Sequence, residues 1–149
     1  MPKPAAHRLK RETYPYAVPI QTRFGDQDVA GHVNNVAMAR LFEEGRFRFD
    51  RDHAIKARLP GKTPVVVSIY IDFVGETFHP DDVLVASGIG RIGERSWEIH
   101  QAAFQRGEPV AVCTVSCVCF ENGRAAPVPA EWRGGMERFL IAEPALSQA

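Results

Sequence analysis

Residues 22–46 read TRFGDQDVAGHVNNVAMARLFEEGR, and the change of character within this stretch decides the fold. An apolar/polar run ends at Phe24. A polar turn follows, carrying Asp26, Asp28, Gly31, His32, Asn34 and Asn35, and from Val36 the spacing becomes helical. Two consecutive asparagines are costly inside a helix and suit its cap, so the helix is expected to begin at one of them. The turn therefore holds carboxylates beside a helix start, where several backbone N–H groups have no intrahelical partner. A carboxylate that can activate water, next to N–H groups that can hold a developing oxyanion, is the minimum needed for acyl transfer. The plainer alternative is that Asp26, Asp28 and Asn34 are turn formers and caps, which is where such residues normally sit.

Working outward, residues 14–24 read as a first strand, with Pro15 and Pro19 suiting an edge. The helix is expected over residues 36–50, extending towards 57. Met38, Phe42, Gly45 and Phe49 form one apolar stripe, with Leu41 beside it, while Arg40, Glu43, Glu44 and Arg48 fall mostly outside it. Gly45 weakens a helix and marks a close backbone approach. After the loop ARLPGKT, four strand-like runs follow at residues 64–74, 82–92, 96–105 and 110–120. The first alternates, with Val65, Val67, Ile69, Ile71 and Phe73 on one face and Ser68, Tyr70 and Asp72 on the other. The last is apolar on both faces, as a central, covered strand would be. A short helix is expected within residues 127–140, on the spacing of Trp132, Met136 and Leu140. The order gives an α+β domain: a five-stranded antiparallel sheet with one long helix on a face. One helix cannot cover such a sheet, so a second subunit is expected to complete it.

Composition narrows the function classes. The 149 residues suffice for one domain, expected over 14–149 behind a mobile basic arm at 1–13. Lys+Arg and Asp+Glu are equal at 18 each, so no net field draws the chain to nucleic acid or to a membrane surface. The arm runs into ETYPYAVP instead of an apolar segment, unlike a secretory signal, and no apolar run approaches bilayer length. Cys113, Cys117 and Cys119 share one strand face and are expected to be buried and reduced, in a cytoplasmic protein. None of the five histidines stands at ligand spacing with another or with a cysteine, so neither a metal site nor a cofactor is expected.

The run RFGDQDVAGHVNN followed by a helix containing FEEGR resembles the signature of the hotdog-fold thioesterases of the 4-hydroxybenzoyl-CoA thioesterase-like group. RIGERSWEI at residues 91–99 and NGRAAPVPAEWR at 122–133 are similar as well. The resemblance implies a sheet wrapped around a central helix, subunits whose sheets become continuous in a homodimer or dimer of dimers, and an acyl-CoA substrate in a cleft between them. It implies that Asp28 is the catalytic carboxylate, as base for water or as nucleophile. By the same resemblance the backbone N–H of Asn35 holds the thioester carbonyl, and His32 and Asn34 form the polar pair of the HVNN form. Plant-type acyl-ACP thioesterases carry an asparagine where this chain has Ala30, and Met38 stands where an aromatic residue is common; Asn34 and Met38 are expected to contact the substrate.

Arginine geometry suits phosphates, which makes Arg91 and Arg95 candidates for holding coenzyme A. Asp26 reads as structural, paired with Arg23, and Glu43 and Glu44 as a solvated helix face. The rival readings are an acyl-ACP thioesterase, a hotdog hydratase or dehydratase, and a regulatory hotdog protein that binds acyl-CoA without cleaving it. The last would be marked by loss of Asp28 or an appended DNA-binding segment, and neither is present.

Overall fold

A computed structural model describes residues 3–142. The elements in chain order are β1 (Tyr16–Ile20), α1 (Asn35–His53), β2 (Lys62–Phe73), β3 (Val83–Ile92), β4 (Ser96–Gln105), β5 (Glu108–Glu121), β6 (Arg124–Ala125) and α2 (Ala130–Glu137). The sheet is antiparallel, in the order β1-β3-β4-β5-β2. A sixth strand beyond the expected five, the two-residue β6, folds back on β5. The Asn122-Gly123 turn makes this possible, because both residues take positive φ there (52° and 75°).

Helix α1 starts at Asn35 and ends at Ala54 in a left-handed cap (φ 47°). It packs against β1, β3 and β4. Its buried stripe is Ala37, Met38, Leu41, Phe42, Gly45 and Phe49, matching the spacing read from sequence. Met38, Leu41, Phe42 and Phe49 share one core with Val83, Val85, Ile89, Trp97, Val115 and the thiols of Cys113, Cys117 and Cys119, which are free and buried. A smaller apolar cluster covers the outer face around Tyr14, Phe104, Val112 and Ile141. The described residues of the basic arm form two short 3-10 turns on that side. Arg8 seats them by donating to the Cys113 carbonyl (2.9 Å) and to Thr114 Oγ1 (3.1 Å).

One expectation about β2 is corrected. Simple alternation grouped Val65 and Val67 with Ile69, but the register shifts between Val66 and Ser68. Val67 is the residue left over at this bulge. Pro64 and Val66 therefore share the helix-side face with Ile69, Ile71 and Phe73, opposite Cys119, Cys117, Val115, Cys113 and Ala111. Val65 turns to the outer face with Ser68, Tyr70 and Asp72.

Because α1 lies over the β1-β3-β4 side, the inner face of β2 is left uncovered. Val66, Ile69 and Phe73 are each about half exposed, and among the described residues β2 has no neighbour on its outer edge.

Candidate active site

Residues 26–34 form a miniature hairpin set on the start of α1. At its base, Asn34 N–H donates to the Asp26 carbonyl (2.9 Å). Gln27 and Val33 face each other in an antiparallel bridge, and Asp28 N–H donates to the His32 carbonyl (2.8 Å). Gly31, at φ 84°, turns the chain with its N–H on the Asp28 carbonyl (3.1 Å). The hairpin is tied to the β2–β3 connection by Val33 N–H, which donates to the Thr77 carbonyl (2.8 Å).

The Asp28 side chain is exposed and held at one oxygen only. Its Oδ1 accepts from Ala30 N–H (2.9 Å) and His32 N–H (3.2 Å). Among the described residues Oδ2 has no partner. One oxygen is thus fixed in direction while the other faces outward, the arrangement a proton acceptor requires. Asn34 is the cap: its Oδ1 accepts from Ala37 N–H (2.8 Å). Asn35 is the first helical residue, so its N–H and that of Val36 have no intrahelical carbonyl to bond. Asp28 thus sits on the hairpin that leads into α1, with Asn34 as the cap and Asn35 as the first helical residue, and Phe24, Val29 and Val36 of this stretch are exposed.

The other sequence candidates are placed differently. His32 meets Asp28 through its backbone. Its ring lies edge-on to Phe78 (5.3 Å) and its Nε2 is 3.5 Å from Glu76 Oε1. Met38 is buried beneath the helix at 2% exposure, as part of the core. Arg91 stands at the end of β3, its Nε 3.7 Å from Glu98 Oε2, and Arg95 lies in the turn that follows. The Asp28 hairpin adjoins the opposite end of β3, and a ten-residue strand spans about 30 Å. Within one chain these arginines are thus remote from Asp28.

Three features had little or no sequence signal. Asp26, 4% exposed, pairs with Arg23 as expected, and also with Arg40: Arg40 Nη2 is 3.0 Å from its Oδ2. The fully buried Gln101 donates to the Phe42 carbonyl (3.0 Å) and accepts from Arg46 Nη1 (3.1 Å), linking sheet to helix. A cavity of about 450 Å³ opens between the second half of α1 and strands β4, β5 and β2. Phe47, Trp97, Ile99, Pro64, Val66 and Cys117 line it, with Arg46 and the Lys56–Asp50 pair at its rim. Its apolar walls suit an acyl group.

Comparison with known proteins agrees with this architecture. The profile of the thioesterase-like superfamily matches residues 22–138. No curated protein matches the chain. Among solved structures, the PA5185 protein of Pseudomonas aeruginosa strain PAO1 superposes with a TM-score of 0.80 at 25% identity, covering 90% of this chain and 97% of that one. A predicted thioesterase of Bacillus stearothermophilus superposes at 0.77 and 26% identity, covering 87% and 98%. A thioesterase of Thermus thermophilus complexed with coenzyme A and zinc gives 0.73 at 26% identity, covering 85% and 95%. No helix among the described residues is long and apolar enough to cross a membrane. With a curled antiparallel sheet around α1 and a superfamily match over most of its length, the chain belongs to the thioesterase-like superfamily and is a hotdog-fold thioester hydrolase.

Proposed function

We propose that the protein hydrolyses acyl-CoA thioesters to the free acid and coenzyme A, with Asp28 as the catalytic carboxylate. The observation that carries this reading is the Asp28 side chain, steered by two backbone N–H groups at Oδ1 and open at Oδ2, at the start of α1. Water is a weak nucleophile, so Oδ2 takes a proton from it as its oxygen attacks the thioester carbon. The carbonyl oxygen gains negative charge, which the Asn35 N–H and the positive end of the α1 dipole stabilise. The intermediate collapses by breaking the C–S bond. The proton held on Asp28 leaves with the sulfur, giving the coenzyme A thiol and regenerating the carboxylate. Attack by Asp28 itself is the alternative course, through a mixed anhydride that water then cleaves. In either course Asn34 holds the helix start in shape, and His32 serves through its N–H to Asp28.

The site is proposed to be shared between two chains. Antiparallel pairing of two β2 edges would set the Phe73 end of one strand beside the Lys62 end of the other. The Phe73 end leads into the Asp28 hairpin, and the Lys62 end borders the 450 Å³ cavity. Asp28 of each chain would then face the acyl cavity of its partner. Arg91 and Arg95, at the cavity end of the sheet, would stand within reach of the coenzyme A phosphates. The coenzyme A bound by the Thermus thermophilus thioesterase supports this choice of carrier.

The test is release of free thiol from a panel of aliphatic and aromatic acyl-CoAs. Turnover of at least one, lost in Asp28→Asn, is the expected result. Tight binding of acyl-CoA without turnover of any would instead make the protein a binding or regulatory member of the fold.

A further inference from the structure

We propose that Arg40 is a positioning residue for Asp28, acting through the buried carboxylate of Asp26. The inference rests on the thioesterase reading of the Asp28 site and adds the device that holds that site in register.

The Asp26 carboxylate is satisfied locally without Arg40. Its Oδ2 accepts from Arg23 N–H (2.8 Å), and Arg23 Nε lies 3.6 Å from Oδ1. What Arg40 adds is a link to the helix. It is the sixth residue of α1, and its Nη2 reaches back 3.0 Å to Asp26 Oδ2. Asp26 is also the base of the Asp28 hairpin, through its carbonyl and Asn34 N–H. Besides its covalent ends at residues 26 and 34, the hairpin is held by Val33 N–H on Thr77 and by Asp26 on Arg40.

Without the Arg40 tie, the residue-26 end of the hairpin is linked to α1 only through the Asn34 N–H bond, and the hairpin could shift against the helix. The Asp28 carboxylate would then shift against the Asn35 N–H, although every bond inside the hairpin would survive. The reaction needs those two groups on opposite sides of one carbonyl carbon, and a misplacement of about 1 Å can cost on the order of 100-fold in rate. Stability alone is a poor reason for the pair, because a buried ion pair gains little over apolar residues of similar volume.

The experiment compares the full-length wild type with Arg40→Lys, Arg40→Gln and the double variant Asp26→Asn/Arg40→Gln. Each is measured for melting temperature and for kcat and KM on an acyl-CoA that the wild type hydrolyses. Arg40→Gln leaves the buried Asp26 carboxylate with only the more distant Arg23 as a cation and is expected to melt lower. The double variant removes both charges, so it is expected to melt closer to the wild type while kcat stays about 10- to 100-fold down and KM changes little. Only one nitrogen of Arg40 reaches Asp26, so a lysine ammonium is expected to restore part of kcat.

A double variant that turns over within about threefold of the wild type would overturn the positioning role and leave the thioesterase reading standing. So would an Arg40→Lys protein no faster than the double variant. A wild type that hydrolyses no thioester would overturn both.

Discussion

Gly45 of α1 lies directly against Val85 of β3: a Cβ built on Gly45 would overlap Val85 Cγ1 and stand 3.1 Å from Val85 Cβ. This contact sets the depth at which the helix rides in the curl of the sheet. It also leaves Gln101 Nε2 only 3.4 Å from the same point, so the buried amide that bonds the Phe42 carbonyl fits under the helix there.

Gly45→Ala is therefore expected to destabilise the protein, against the helix-propensity rule. Removing glycine from a helix interior is worth about 1 kcal/mol, but an extra methyl in a filled core costs about 1–3 kcal/mol. Val85 is fully buried and stiff at χ1, so it cannot swing away. The net effect is a loss of up to about 2 kcal/mol in urea unfolding. An alanine variant as stable as the parent would mean that the helix can lift off the sheet.

The same glycine illustrates what could be read without coordinates. A glycine inside an apolar stripe is a local anomaly, and its meaning, close approach, is local too. The Asp-x-Asp turn, the Asn34 cap and the run of four strands were legible for the same reason, since turn chemistry and periodicity act over a few residues. The Asp26–Arg40 pair was not, because its partners are 14 residues apart and meet only once the helix folds back beside the turn. The faces of β2 depart from simple alternation at Val67, because nothing in an apolar run announces a bulge. Chemistry marks Arg91 and Arg95 as phosphate ligands but does not tell which end of the sheet their turn occupies, since that depends on strand order.

The uncovered edge of β2 leads to a prediction about assembly. An edge strand with exposed Val66, Ile69 and Phe73 is an unpaired template with an apolar face, and a second copy can satisfy both. Sedimentation at micromolar concentration is expected to give at least a dimer. Ile69→Lys should shift the mass towards the monomer and lower kcat/KM by about 100-fold or more, since each cleft would lose one wall. A parent protein that is monomeric and fully active would rule out a shared site.

The three thiols give a prediction in pH. Burial pushes the Cys113 thiol up from 9.0 to about 11, partly offset by Arg46 and Arg8. Burial raises Cys117 as well, with Lys56 opposing it. In the folded protein these groups keep their protons where the unfolded chain has lost them. Their contribution to stability is therefore complete below pH 9 and declines as pH rises from 9 towards 11. The urea midpoint should fall over that window, and a triple cysteine-to-serine or cysteine-to-alanine variant should show a shallower fall. In the native protein at neutral pH, thiol reagents should label none of the three on a timescale at which the unfolded chain is labelled fully. Fast labelling of Cys117 would mean that the adjoining cavity breathes open.

The decisive substitution remains Asp28→Asn. Asparagine keeps the shape and can still accept at Oδ1 from the Ala30 and His32 N–H groups, so the hairpin should form and acyl-CoA should bind. It lacks the charge and the basic oxygen at Oδ2. General-base catalysis typically contributes about 10²- to 10⁴-fold, so kcat should fall by that much or more, with KM little changed. If Asp28 served only to close the turn, asparagine would serve as well, because both residues make this kind of turn. Single-turnover hydrolysis in ¹⁸O-water then separates the two catalytic courses. A general base delivers the label to the product acid alone. A nucleophile delivers it to the Asp28 carboxyl when water attacks the anhydride there, readable as a mass shift in the peptide bearing Asp28. An Asp28→Asn protein that folds and hydrolyses acyl-CoA within about threefold of the parent rate would leave this carboxylate with a structural role and the base to be sought among other residues.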